Sequence, residues 1–394
     1  MNQTLMQTHY DIAIVGGGLV GASLACALRH TGYGVALLEA QADGLGANGA
    51  DKRVYALSPA SQEFLTALGV WGKLDPERIQ PVRAMQIFGD DGASRLEFSA
   101  YQSSVDRLAS IVTAGDIRAA LWEMLSSSSN VDLFCPATAS QILWHGKHCE
   151  VRLAGGGGFS AKLLVGADGM HSAVRAQAGI DARIEPAGQM GVVANFRCAL
   201  SHHGSAFQWF REDGVLAWLP LPGNVFSMVW STGEIHAREL INSGEDALCE
   251  QVRMAGGGLL GELQLMGQVA AFPLAWLSVR QRVRERLVLI GDAAHVVHPL
   301  AGQGINLGLG DARELAALLE GVSAHGGDPG QLFDLRKFER ARAEDILAMR
   351  LATKGLKGLF EQRSAVAAKI RNTGLNLTDK SVVIKNMLAR HAMG

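Results

Sequence analysis

The sequence is poor in the features that mark a secreted, membrane-spanning or nucleic-acid-binding protein. Its five cysteines, Cys26, Cys135, Cys149, Cys198 and Cys249, are odd in number, scattered, and form no C-x-x-C pair. That distribution argues against a disulfide framework and against a zinc site. Long apolar runs are missing: stretches such as Val269 to Leu277 fall well short of a membrane span. Neither sign of charge dominates, with 36 Lys and Arg against 38 Asp and Glu, so no whole-protein attraction to nucleic acid follows. Met1 to His9 is polar and lacks the apolar segment of a secretory signal. A cytoplasmic protein of two or three structural units is the expectation for 394 residues. No G-x-S-x-G nucleophile elbow and no paired-acid constellation is present. His295 and His298 have no third ligand nearby, so no metal is expected.

What the chain does have is glycine in ordered context. Asp11 to Val15 reads as a buried strand and runs into Gly16-Gly17-Gly18-Leu19-Val20-Gly21, the G-x-G-x-x-G pattern. A small-residue helix follows, then the apolar run Val35 to Leu38, which ends in Glu39. Each part has a task in a βαβ dinucleotide unit. Gly16 makes the tight turn, Gly18 lets the backbone approach a pyrophosphate, and Gly21 lets the helix pack on the strand. Glu39 is placed to accept hydrogen bonds from an adenosine ribose, which leaves FAD and NAD both open. Gly256 to Gly261 fits the same letters, but it follows a helix-like segment, Glu245 to Met254, and is expected to be a plain loop.

Two further segments place glycines and a carboxylate after an apolar strand. A hairpin is expected from Cys149–Leu153 and Phe159–Leu163, and its second strand continues into Gly166-Ala167-Asp168-Gly169-Met170-His171-Ser172-Ala173-Val174-Arg175. Read plainly, Asp168 or Ser172 caps a helix there. Near the end, Leu287 to Ile290 delivers Gly291-Asp292, and His298-Pro299-Leu300-Ala301-Gly302-Gln303-Gly304-Ile305-Asn306 opens a helix with Leu309, Ala312, Ala316 and Leu319 on one face. The free N–H groups of such a helix start suit an anion or a developing negative charge. Several glycines imply a flat ligand close to the backbone.

The last segment resembles the signature of the flavin-dependent aromatic hydroxylases of ubiquinone biosynthesis. These are single-component FAD monooxygenases that share a fold with para-hydroxybenzoate hydroxylase. The Asp168-Gly169 segment looks like that group's second fingerprint, at the FAD pyrophosphate. Asp51-Lys52-Arg53 resembles its D-x-R segment, in which the arginine meets the flavin. The resemblance spans essentially the whole chain. It implies that Asp292 binds the ribityl or pyrophosphate part of FAD. Gly302, Gln303, Gly304, Ile305 and Asn306 would form the helix start at the isoalloxazine ring, and Pro299, with His298, would line the catalytic pocket. It also implies NADPH or NADH as a transient co-substrate, O2, and a flavin C4a-hydroperoxide that attacks an electron-rich ring. Because the flavin carries the hard chemistry, no protein acid or base is expected. Two positions depart from the pattern: Ala114 stands where relatives carry a polar flavin-contacting side chain, and Gly310 where they often carry arginine.

The rest of the chain completes the expected architecture: an α/β protein with a Rossmann-like FAD-binding domain, an inserted, mostly antiparallel β-sheet substrate domain and C-terminal helices. The FAD domain is discontinuous, covering 1–80, 99–185 and 275–330. The sheet domain covers 81–98 and 186–274, with Phe272-Pro273-Leu274 leading the chain back. Residues 331–394 form the helical segment. Phe207, Trp209, Trp218, Phe226, Met228 and Trp230 alternate along the sheet and are expected mainly in its core, with the other face lining an apolar pocket.

From Leu351 to Gly394 eight Lys or Arg face Glu361 and Asp379, a net of +6, interleaved with apolar residues. That tail, with the cluster Arg280, Arg282, Arg284 and Arg286, would let the enzyme meet a prenylated aromatic substrate at the inner membrane face as a peripheral protein. As a plain reading, the tail is a solvated helical pair packed on the catalytic body and the arginine cluster is a solvated face. The alternatives to a prenylated phenol or quinol substrate are a soluble aromatic acid, or a flavin-binding protein without turnover. Homo-oligomerisation and membership of a biosynthetic complex stay open.

Overall fold

The computed structural model describes residues 8–41, 53–91, 94–298 and 304–361. Its first layer is a sheet whose core is parallel, in the order Leu287–Leu289, Gly158–Gly166, His9–Val15, Val35–Leu38 and Val131–Phe134. Val35–Leu38 and Leu287–Leu289 are apolar and buried throughout, and the longer strands are so in their central and C-terminal parts, Ile12–Val15 and Leu163–Val165, as strands covered on both faces must be. On one side lie the helices Leu19–Leu28, Ala114–Ser126 and Gly304–Ala324, sharing a core that includes Ile14, Leu24, Leu121 and Leu315. On the other side a second core forms around Tyr10, Leu164 and Leu289. The expected hairpin is present, Cys149–Leu153 pairing antiparallel with Gly158–Gly166.

The second layer is an eight-stranded sheet in the order His295–Val296, Leu263–Val279, Ala182–Cys198, Val225–Thr232, Gly214–Leu221, Ser205–Arg211, Ala84–Phe88 and Arg95–Ser99. All its pairs are antiparallel except Ser205–Arg211 with Ala84–Phe88. Phe196, Trp209, Trp218, Phe226, Met228 and Trp230 point to one face, where the helices Glu234–Asn242 and Glu245–Ala255 cover them. Trp218 stacks on Phe226 with ring centroids 4.5 Å apart. A Cβ on Gly256 would lie 2.0 Å from the Trp218 ring. The second G-x-G-x-x-G is therefore a loop after the helix, glycine-rich in part because Trp218 needs the space.

Three expectations change here. The strand Leu263–Val279 stays paired with Ala182–Cys198 through Phe272, Pro273 and Leu274, up to Val279 opposite Ala182. An irregularity between Pro186 and Met190 lets both strands run on past the expected limits. Pro81 belongs to neither large sheet: Gln80–Val82 pairs with Ala109–Thr113, which also pairs with Val54–Leu57. Apart from the exposed Arg280, the arginine cluster is not a solvated face. Arg282 bonds Glu339, Arg284 bonds the carbonyls of Ala178 and Gly179, and Arg286, 5% exposed, pairs with Asp328 at 2.5 Å. They fasten the C-terminal segment to the first layer.

The helices Gly304–Ala324 and Leu332–Glu361 meet at Asp311, which is 1% exposed. Its carboxylate accepts from the Gly291 backbone N–H at 3.0 Å, from His295 Nε2 at 2.6 Å and from Arg342 Nε at 2.8 Å. Arg342 also donates to the Leu307 carbonyl and pairs with Asp345. A Cβ on Gly310 would stand 2.8 Å from Arg342 Nη2. The space beside Gly310 is thus filled by a guanidinium delivered from the following helix.

Burial alone would push the Asp311 carboxyl up, but His295 and Arg342 outweigh it and hold it down to about 2, from an ordinary 3.8. A carboxyl held low contributes stability that is present above its unfolded value and lost as pH falls through its folded one. Asp311→Asn should lower the unfolding free energy by about 3–5 kcal/mol at neutral pH. It should also remove part of the wild-type loss between about pH 4 and pH 2. Denaturant titrations across that range check both.

Candidate active site

Between the two layers lies a cavity of about 1150 Å³. A pocket for one drug-sized ligand holds ~300–1,000 Å³, so this one has room for more than one molecule. Its floor is the glycine turn after the first strand. Gly16 has φ +108, and a Cβ on it would lie 2.3 Å from the Ala167 carbonyl oxygen. A Cβ on Gly21 would lie 2.0 Å from the Gly16 oxygen, so the helix sits directly on the strand end. Gly18 has nothing within 4 Å of its Cβ position and faces the cavity. The three glycines thus have the turn, packing and open-backbone geometries that their spacing suggested.

Glu39 ends the second strand at the cavity wall. Its carboxylate accepts from the Gly17 N–H at 3.0 Å and from the Gln41 N–H at 2.9 Å. Arg118 approaches it at 3.5 Å, and the Trp122 indole donates to the Gly17 carbonyl. Arg118 Nε is buried with no hydrogen-bond partner among the described residues. Sequence reading missed Arg118 and Trp122. The signal was present, because Ala114, Arg118 and Trp122 are spaced four apart and share one face of the helix Ala114–Ser126. Ala114 itself is buried and only donates its N–H to the Arg53 carbonyl.

The other expected residues divide into two groups. Asp168, Gly169, Arg53, Asp292, Gly304, Ile305 and Asn306 all line the cavity. Asp168 spends its carboxylate on capping, accepting from Ser172 Oγ at 2.5 Å and the Val174 N–H at 3.0 Å. Gly169, at φ +81, presents bare backbone. Arg175, 7% exposed, donates to the carbonyls of Met170 and Ala293, tying this segment to the Asp292 turn. Asn306 uses its amide to hold the Ser58 N–H and the Ala56 carbonyl, which fixes the helix start against the strand Val54–Leu57. Asp292 is open to the cavity but enclosed by protein. That enclosure pushes its carboxyl up, against the pull of His295 and Arg53.

His298 is the correction. It is 1% exposed, outside the cavity lining, with Nε2 bonded to the Gln189 amide oxygen and its ring 5.4 Å from that of Trp276. Its β-strand neighbours turn it into the second layer. Pro299, Gly302 and Gln303, like Asp51 and Lys52, lie outside the described residues.

The open glycine backbone at Gly18, Gly169 and Gly304, the unpartnered Arg118 donor and the cavity-facing Glu39 fit a dinucleotide with a flat ring. Fold and site together define the class of FAD-dependent monooxygenases. The solved p-nitrophenol 4-monooxygenase PnpA of Pseudomonas putida superposes with a TM-score of 0.79 at 18% identity, over 99% of both chains. An HpxO variant of Klebsiella pneumoniae, complexed with FAD, superposes with a TM-score of 0.75 at 19% identity, over 98% of this chain and 99% of its own. The chain belongs to the FAD binding domain family, whose model matches residues 9–348. It is similar to ubiquinone hydroxylase UbiL of Rhodospirillum rubrum, 33% identical over 98% of this chain and 89% of the relative. It is also similar to 3-demethoxyubiquinol 3-hydroxylase of Escherichia coli, 31% identical over 98% of both. The mitochondrial ubiquinone biosynthesis monooxygenase COQ6 of Drosophila melanogaster is 30% identical over 100% of this chain and 91% of the relative.

Gly18→Val should fill the open backbone and Asp292→Ala should remove the enclosed carboxylate. Each variant is expected to purify with less than half the wild-type FAD, read from the flavin-to-protein absorbance ratio, and with an unchanged far-UV circular dichroism spectrum. A fully loaded Asp292→Ala protein would remove that residue from the site.

Proposed function

We propose that this chain is an FAD-dependent, NAD(P)H-using monooxygenase that hydroxylates the aromatic ring of a prenylated phenol or quinol in ubiquinone biosynthesis. The observation that carries the substrate class is the charge of the cavity. Every lining side chain supplied by the eight-stranded sheet is uncharged, from Met85 and Phe98 to Met266 and Phe272. The charged lining residues, Glu39, Arg53, Arg118, Asp168 and Asp292, sit at the dinucleotide end. A carboxylate substrate buried against that sheet would find no counter-charge there, which is costly; a neutral, oily ring would not need one. The names of the relatives, a ubiquinone hydroxylase and a 3-demethoxyubiquinol 3-hydroxylase, support the same class.

When bound, FAD supplies the redox chemistry, taking electrons from NADPH or NADH and passing them to O2 for insertion into the ring. The chain would hold its adenosine ribose with Glu39 and its pyrophosphate with the backbone at Gly16, Gly18, Gly21 and Gly169. Asp292 would take the ribityl part. Arg53, Gly304, Ile305 and Asn306, with Gly302, Gln303 and Pro299, would surround the ring system. The helix beginning at Gly304 directs its free N–H groups and positive dipole end to that place, favouring negative charge there. Asp168 would act through the cap it builds. The sheet excludes water and places the substrate ring, and no side chain need act as acid or base. On this reading the first layer is the FAD unit and the second the substrate unit.

The test is the anaerobic rate of flavin reduction by NADPH, with and without a short-chain prenylphenol. Acceleration of tenfold or more is expected with the phenol. Equal rates would overturn this reading, and acceleration by an aromatic acid instead would replace it with the soluble-acid alternative.

We further propose peripheral contact with an anionic membrane on the cytoplasmic side. No helix among the described residues is long and apolar enough to cross a membrane. Leu347 and Leu351, one helical turn apart, are 55% and 62% exposed, and the net charge of +6 follows in sequence. Such apolar exposure beside basic residues suits an anionic lipid surface. Liposome flotation should increase with the anionic lipid fraction; flotation insensitive to it would sink the proposal.

A further inference from the structure

The cavity-facing side of the eight-stranded sheet is mostly apolar, and two of its polar exceptions are deeply buried. Gln208 is 4% exposed and Ser227 is 5% exposed, and both line the cavity. Neither side chain hydrogen-bonds to any described residue. Buried side-chain amides and hydroxyls are rarely left without a partner. The buried hydroxyls of Thr232 and Ser172, by contrast, are satisfied within the fold, by the Asp213 carbonyl and by Asp168. Gln208 and Ser227 contribute no hydrogen bond to folding, and their open polar atoms have only the cavity to meet.

Their placement is set by register. Gln208 lies opposite Ala217 on the next strand, and Ala217 lies opposite Val229. Ser227 lies opposite Leu219 on one side and Asn195 on the other. The two polar residues are therefore two strands apart and offset by two residues along them, about 12 Å between backbones, with only the apolar Ala217 and Leu219 of the strand between them facing the cavity. On the reverse face the neighbouring Trp209, Phe226 and Met228 are locked in the core, so the backbone carrying both residues is rigid. An amide and a hydroxyl each donate and accept. That suits ring hydroxyl and methoxy oxygens of a neutral aromatic compound.

We propose that the Gln208 carboxamide and the Ser227 hydroxyl hydrogen-bond oxygen substituents of the substrate ring and so select which ring carbon faces the flavin. This rests on the prenylated-phenol reading above. Both residues are positioning groups, since neither takes part in bond making.

The experiment titrates FAD-loaded protein with ortho-prenylphenol and with prenylbenzene, which lacks the oxygen, following the flavin absorbance. Wild type is expected to prefer the phenol by about tenfold, the worth of one net hydrogen bond. Because the phenol carries one oxygen, Gln208→Met, nearly equal in volume, or Ser227→Ala should abolish the preference, whichever removes its partner, while both leave prenylbenzene affinity and FAD content within twofold. Turnover in the variants should release more H2O2 per NADPH or shift the hydroxylated position. Variants that keep the wild-type preference and product overturn the polar-pair assignment alone. A wild type that binds neither compound overturns the substrate class and this assignment with it.

Discussion

A carboxylate cut off from water must find its counter-charges in the protein, and Asp311 draws them from segments far apart in the chain. The Gly291 N–H, His295 and Arg342 all converge on it. Asp311 lies about two turns into the helix that starts at Gly304, and Gly291 immediately precedes Asp292. One buried group therefore sets the distance between the helix start and the carboxylate that face the cavity. The close packing of Gly308 on Val20, where a Cβ would come within 2.6 Å of a methyl, couples the same helix to the dinucleotide turn. Placement of the helix start and of the first glycine turn, both facing the cavity, is in this way a single problem of packing.

The second constraint is the two-sidedness of the large sheet. Alternation sends Trp218, Phe226 and Trp230 to the helices and Ala217, Ser227 and Val229 to the cavity. A one-residue slip of the strand Ser205–Arg211 would turn Trp209 to the cavity and Gln208 to the helices. The aromatic core thus protects the register on which the cavity lining depends. The cavity in turn divides into a charged end over the parallel sheet and a neutral end under the antiparallel one.

Much of this was legible because it is local. Gly16, Gly18 and Gly21 carry their geometry in their spacing, and alternation alone located the strands around Phe207 and Phe226. What escaped was decided by partners distant in sequence. Arg284 and Arg286 look like surface charges until the carbonyls of Ala178 and Lys162 and the carboxylate of Asp328 come to them. His298 looks like a pocket residue until Gln189 and Trp276 claim it. Arg118 needed the knowledge that its helix packs against Gly17. The strand limits near Pro186 and Leu274 moved because an irregularity in pairing can carry a strand past a proline, which no single-strand pattern reveals.

The contact between Gly310 and Arg342 makes the two positions depend on each other. With Arg342 in place, a second guanidinium at 310 would bring like charges and overlapping atoms into one buried space. Without it, Asp311 would lose its strongest permanent counter-charge. The cost of changing either position is therefore set by the residue that stands at the other, and the two changes would not add.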